Sequence, residues 1–244
     1  EKQADKFLTG EALEMYSPKY KMIMETIDKS EGCVLVYSQF ITLTGLNTFA
    51  LTIKTNGGYA PFEIKRVNGE WELDEKEEDK NKKKYVIWAG VTSKEKQEIY
   101  LKVFNGQLDL LPYNCQKLTS QLKSMYGKEM NTYGKVIKIF MTTKSGAEGI
   151  NLRAIRQVHI MESYWQPALI SQVIGRATRA NSHINLPVEK RNFEVFYYLA
   201  TLTPEQNNGL LKSSLINIKS DIEQIKQTKN TCCFFKPCSM TKIF

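Results

Sequence analysis

Short apolar runs recur along the chain, each followed by a stretch with helical spacing. CVLVY (33–37) reads as a buried strand, and a helix is expected after it from about Ile41 to Ile53. YVIWA (85–89) is a second strand. It leads into SKEKQEIYLKVF (93–104), where Ile99, Val103 and Phe104 share one helical face. VIKIFM (136–141) and RQVHIM (156–161) are the third and fourth strands, and PALISQVIGRATR (167–179) comes next as a helix. FEVFYYLA (193–200) is a fifth strand, and residues 203–229 carry the pattern of a long helix. Such alternation predicts an α/β domain on a parallel sheet.

Two stretches break the rhythm. Residues 54–84 contain Asn-Gly pairs that suggest turns around a small hairpin, then a mixed-charge run expected to be solvated. Residues 105–135 are polar and read as a helical excursion. Both are expected as surface insertions on a lobe spanning 1–202. Residues 203–244 then form a C-terminal helix and a cysteine-containing tail.

With 244 residues and 42% apolar content, the chain can bury a substantial core. The net charge of +8 fits a polyanionic partner, although a mild basic excess also serves solubility alone. The five cysteines are odd in number and irregularly spaced, which argues for a reducing compartment rather than a disulfide framework. Cys33 reads as core. Cys232, Cys233 and Cys238 cluster in CCFFKPC, but neither His159 nor His183 is near in sequence to complete a site, so no metal is assigned. No apolar run is long enough to span a membrane, and the charged start has no signal-peptide core. The chain does not begin with Met, and is read as a fragment or a processed product.

Two segments carry candidate chemistry. MTTKSGAEGINL (141–152) comes directly after a strand and is rich in small residues, so its backbone amides can approach phosphates at Gly146 and Gly149. Thr142, Thr143 and Ser145 add hydroxyls, and Lys144 adds charge. An ordinary glycine-rich strand-to-helix turn would look the same. In QVIGRATR (172–179), Arg176 and Arg179 fall on one face of the expected helix, with Gln172 one turn earlier. Guanidinium groups so placed suit a γ-phosphate in transfer, and a solvated basic face is the plainer alternative.

Taken in order, these segments resemble motifs V and VI of superfamily 2 helicases. The likeness is nearest to the branch holding SWI/SNF-type remodellers and the transcription-associated ATPases and helicases of large DNA viruses. VLVYSQF (34–40) resembles motif IV, and WAGVTSKEKQEIYLKVFN (88–105) resembles the segment that ends in Phe-Asn between motifs IV and V. ESYWQP (162–167) resembles the Trp-Asn-Pro segment before motif VI, with Gln166 in place of Asn, and SPKYKMIMETI (17–27) resembles the helix leading into the lobe. Residues 182–200 look particularly like the viral branch.

The resemblance implies a RecA-like parallel sheet flanked by helices: the second lobe of an ATP-dependent nucleic-acid helicase or translocase. It implies Arg176 and Arg179 as arginine fingers, with Gln172 in the same cleft. Glu148, Gly149 and Asn151 would lie on the nucleotide side of motif V. Ser38, Gln39, Thr142, Thr143, Lys144, Ser145 and Gly146 would meet a DNA or RNA backbone, and Trp165 would pack under the loop or touch the nucleic acid. No G-x-x-x-x-G-K-[ST] loop and no DEAD-like box is present; Leu73-Asp74-Glu75-Lys76 lies in the charged insertion without a preceding strand. ATP and Mg²⁺ would therefore be held mainly by an N-terminal RecA-like lobe of the same polypeptide, and this chain alone would be inactive. The setting implied is intracellular and cytoplasmic, or a viral factory or virion if the viral likeness holds. A rival reading is a catalytically inactive nucleic-acid-binding or scaffold module of the same fold. A different phosphoryl-transfer enzyme is disfavoured, because no paired carboxylates or clustered histidines stand out.

Overall fold

A computed structural model of the chain describes residues 3–42, 45–89, 92–127, 131–147, 149–162, 167–199 and 241–243. Helices α1 (Ala4–Phe7), α2 (Gly10–Tyr16) and α3 (Pro18–Asp28) precede strand β1 (Cys33–Tyr37). Next come α4 (Leu46–Thr55), β2 (Tyr59–Pro61), β3 (Ile64–Val67), β4 (Glu70–Leu73) and β5 (Lys83–Trp88). Helices α5 (Lys94–Phe104) and α6 (Gln116–Tyr126) lead to β6 (Ile139–Thr142) and the single turn α7 (Lys144–Ala147). After them come β7 (Ile155–Ile160), α8 (Pro167–Ala177) and β8 (Glu194–Tyr197), and β9 (Thr241–Ile243) lies beside β8.

The main sheet has the order β2-β5-β6-β1-β7-β8-β9, and each neighbouring pair is parallel. It is flanked by helices on both faces, the layering expected of a RecA-like sheet. The apolar run of β1 is continuous because both its faces are covered. In β1, Cys33, Leu35 and Tyr37 enter the core shared with α5, α6 and α8, whereas Val34 and Val36 enter the core shared with α3 and α4. β6 divides likewise, Phe140 to the first face, Ile139 and Met141 to the second. Ile99, Val103 and Phe104 of α5 are all buried, as their spacing predicts.

The stretch 54–84 is only partly a surface excursion. The hairpin β3–β4 turns on Asn68 and Gly69, both at positive φ, as the Asn-Gly signal predicts. Tyr59–Pro61, however, joins the main sheet as the edge strand beside β5. The charged run holds a buried ion pair, Lys84 Nζ to Glu75 Oε1 at 2.5 Å. The stretch 105–135 is likewise drawn into the core. Leu118 and Leu122 of α6 are fully buried, and Asn131 is 2% exposed. The Asn131 amide donates to the carbonyls of Phe104 and Ile137 and accepts from the N–H groups of Val136 and Ile137, so a polar residue is satisfied at the centre.

Two expected helices have shifted ends. α4 starts at Leu46 rather than near Ile41, because Gly45 packs against Phe40: a Cβ there would lie 2.0 Å from the Phe40 carbonyl oxygen. α8 closes at Ala177, so Arg179 lies beyond its last helical residue. The expected helix at 203–229 and the cysteines 232, 233 and 238 lie outside the described residues.

Candidate functional site

The loops after β1, β6 and β7 leave the sheet at the carboxyl ends of adjacent parallel strands, the usual place for a ligand crevice in such sheets. The loop after β6 is shaped by close approach to β5. A Cβ on Gly146 would lie 2.5 Å from the Trp88 carbonyl oxygen and 2.6 Å from Thr142 Oγ1. Only glycine lets α7 sit this low against the sheet. Gly149 meets a different demand: φ is +79° with open space around it.

Lys144 and Ser145 are exposed at the start of α7. Together with Gln39, Ile41 and Thr143 they line an open cavity of about 330 Å³. Four of the residues expected to face nucleic acid therefore share one surface. Thr143 Oγ1 lies 3.2 Å from Ser145 Oγ. Thr142 and Ser38 are fully buried and serve the scaffold instead. Thr142 Oγ1 donates within the protein, to the Trp88 carbonyl at 3.3 Å. Ser38 Oγ lies 3.0 Å from the Phe40 carbonyl oxygen and 3.1 Å from Glu162 Oε1.

Glu162, which the sequence did not single out, organises this corner. Its carboxylate accepts the Gln39 N–H at 3.1 Å and so fixes the turn that carries Gln39 into the cavity. Burial pushes the Glu162 carboxyl above the usual carboxylate range, against the lowering effect of those hydrogen bonds. The Tyr20 hydroxyl is pushed up to about 12, by burial first and by the Glu162 charge second.

Arg176 is half-buried in the last turn of α8, while Gln172 and Arg179 are exposed. The Arg179 carbonyl accepts the Ser182 N–H, which turns the chain away from the helix. The His183 ring bridges Ser182 Oγ at 2.8 Å and the Ile155 carbonyl at 2.6 Å. Asn151 is exposed, and its neighbour Leu152 donates its N–H to the Arg176 carbonyl at 3.3 Å. The loop after α7 is thereby tied directly to the end of α8. Glu148 and Trp165 lie outside the described residues.

The arrangement presents an ammonium, hydroxyls and a carboxamide around one open cavity, and two arginines at the end of a neighbouring helix. Both surfaces suit anions bearing phosphate oxygens. Among the described residues no group of three or more His, Cys, Asp or Glu is placed to hold a metal ion, and no helix is long and apolar enough to cross a membrane.

Comparison with known proteins gives a consistent family signal. Residues 80–181 match the helicase conserved C-terminal domain. The chain is 31% identical over 195 residues to the "Termination factor NPH-I homolog" of African swine fever virus, covering 77% of this chain and 26% of that protein. It is 27% identical over 196 residues to an Acanthamoeba polyphaga mimivirus protein named as an ATP-dependent RNA helicase, covering 80% of this chain and 28% of that one. The chain thus spans about a quarter of the length of these relatives. Among solved structures, the C-terminal part of the Fun30 ATPase domain aligns with a TM-score of 0.48 at 15% identity, covering 86% of this chain and 52% of that one.

Proposed function

We propose that the chain carries the C-terminal lobe of a superfamily 2 helicase and forms half of an ATP-dependent nucleic-acid motor, a reading supported by the match of residues 80–181 to the helicase conserved C-terminal domain. The observation that carries the reading is the tie between Leu152 and Arg176. It joins the loop behind the Lys144 cavity to the last turn of α8, which bears Arg176, and so offers a path between the two surfaces.

In this reading Gln39, Thr143, Lys144 and Ser145 hold backbone phosphates of DNA or RNA, which makes the grip indifferent to base sequence. Arg176, Arg179, Gln172, Gly149 and Asn151 are assigned to a nucleotide held mainly by an N-terminal lobe. The guanidiniums fit a triphosphate, whose oxygens accept paired N–H donors from a planar fork. ATP with Mg²⁺ supplies the phosphoanhydride bond and part of the charge neutralisation; the Mg²⁺ ligands are assigned to the N-terminal lobe. The two arginines grip the phosphates across the cleft and lose hold once the terminal phosphate is cleaved. Each cycle then moves this lobe along the strand. The mimivirus and swine fever virus relatives support a motor in a viral setting.

The test uses the full-length ATPase with Arg176→Ala and Arg179→Ala. Each should lower kcat by about 10³ or more, the scale of arginine fingers elsewhere, with nucleic-acid affinity near normal. Lysine at either position should rescue poorly. Near-wild-type turnover in both alanine variants would mark the arginines as solvated helix charges and sink the mechanism.

A further inference from the structure

We infer that Asn105 is a positioning residue for Arg176, acting through the loop 151–153; the inference rests on the role proposed for Arg176 above. Asn105 caps the C-terminus of α5, where its backbone N–H is held by the Leu101 carbonyl at 3.0 Å. The preceding Phe104 is buried against Phe140, with ring centroids 5.0 Å apart. The base of the Asn105 side chain is therefore fixed to the core.

Both ends of its carboxamide are used on the same loop. Nδ2 donates to the Asn151 carbonyl at 2.8 Å, and Oδ1 accepts the Arg153 N–H at 2.9 Å. Between these two contacts, the Leu152 N–H donates to the Arg176 carbonyl at 3.3 Å. Three consecutive residues are thus tied alternately to α5, α8 and α5. The loop has no regular secondary structure from Ile150 to Arg153. Buried Ile150 and Leu152 anchor it inward, but two apolar anchors leave rotation about the line between them. The amide blocks that rotation, and it fixes the backbone on either side of the Leu152 N–H that meets the end of α8.

The chemistry is specific to a carboxamide. Asp accepts from Arg153 but cannot donate to the Asn151 carbonyl, and Ala does neither. A misplacement of about 1 Å at a catalytic group costs on the order of 10²-fold in rate. The resemblance to a Phe-Asn-ending segment located this residue; the double hydrogen bond gives it a task.

The experiment compares Asn105→Ala, Asn105→Asp, Arg176→Ala and the Asn105→Ala/Arg176→Ala pair in the full-length ATPase. Single-turnover hydrolysis, nucleic-acid Kd and Tm are read for each. Asn105→Ala and Asn105→Asp should each lower the rate by roughly 10- to 100-fold, with Kd and Tm close to wild type. Adding Asn105→Ala to Arg176→Ala should change the rate by less than about threefold, since the group being positioned is gone. Full activity in either Asn105 variant overturns the inference, as does an equal loss with and without Arg176. So does a loss accompanied by a drop in Tm and nucleic-acid affinity together. An Arg176→Ala variant with normal turnover brings down the arginine assignment itself, a result separable from failure at Asn105 alone.

Discussion

Replacing Gly146 by Ala places a methyl carbon 2.5 Å from the Trp88 carbonyl oxygen, 2.6 Å from Thr142 Oγ1 and 2.7 Å from Trp88 Cδ1. Comfortable contacts to carbon lie at about 3.5–4.0 Å, so the new atom is about 1 Å too close to three neighbours. None can yield cheaply. The Trp88 carbonyl belongs to β5, the Thr142 hydroxyl is bonded to that carbonyl, and the indole packs on Phe140 at 5.5 Å. The turn α7 must lift instead. Overpacking of this kind costs about 1–3 kcal/mol. Gly149→Ala is the control in the same loop. It meets no atom within 4 Å, but its φ of +79° strains the backbone by about 1–2 kcal/mol, partly offset by a stiffer unfolded chain. Urea unfolding should place Gly146→Ala at the lower midpoint, by about 0.5–1 M from wild type for a loss of about 2 kcal/mol. Lifting α7 also moves Lys144 and Ser145 out of their cavity, so Gly146→Ala alone should weaken nucleic-acid binding, by about tenfold. If Gly146→Ala is as stable as Gly149→Ala and binds nucleic acid like wild type, the reasoning about close approach is wrong.

Two further outcomes are expected. Lys144→Glu should weaken nucleic-acid binding about equally across sequences and lower the slope of log K against log salt by roughly 1 in magnitude; base-selective loss would contradict a phosphate contact. His159 is fully buried between Tyr198 and Gln157, and burial pushes its pKa down to about 3. A folded value below the unfolded 6.5 means its contribution is present above that pH and lost as pH falls toward 3. Between about pH 7 and pH 5 the loss is about 2 kcal/mol, and a His159→Gln variant should lack that component of the slope. An unchanged slope in the variant would contradict the assignment.

Local pattern made the centre of the sheet legible in the sequence. β1 announces itself because a strand covered on both faces is apolar without interruption, and β6 follows it through Ile139, Phe140 and Met141; β5 and β7 show as apolar runs despite Lys83 and Lys84 in one and Arg156, Gln157 and His159 in the other. The loop at 142–149 and the arginines of 172–179 were legible as segments because small residues and guanidiniums are scarce signals in such an order. Their physical reasons were less legible. Gly146 was read as room for a phosphate, yet its missing Cβ is required first by the Trp88 carbonyl. Ser38 and Thr142 were read as contact residues, but their hydroxyls are buried in hydrogen bonds that only the fold supplies. Glu162 bonds to a residue 123 positions away, and Asn105 to loop residues 46 and 48 positions away. No periodicity marks such pairs. The strand Tyr59–Pro61 and the buried face of α6 were hidden for a related reason: each is short or polar by composition and is recruited by the edge it covers.

The strand order has a consequence for how the chain is made. β1 lies at the centre of the sheet, yet both of its partners, β6 and β7, come about a hundred residues or more later. At ribosomal rates of about 5–20 residues per second, β1 leaves the exit tunnel some 5–20 s before the first of them. During that interval its two hydrogen-bonding edges are open, and CVLVY is an apolar, uncharged segment of the kind that pairs with other chains. Helices α3 and α4 flank β1 in sequence and are synthesised with little delay, so they can cover one face of the strand but neither edge. Nascent chains held after β1 has left the tunnel and before β6 has are therefore the species most exposed to aggregation and most in need of a holding chaperone.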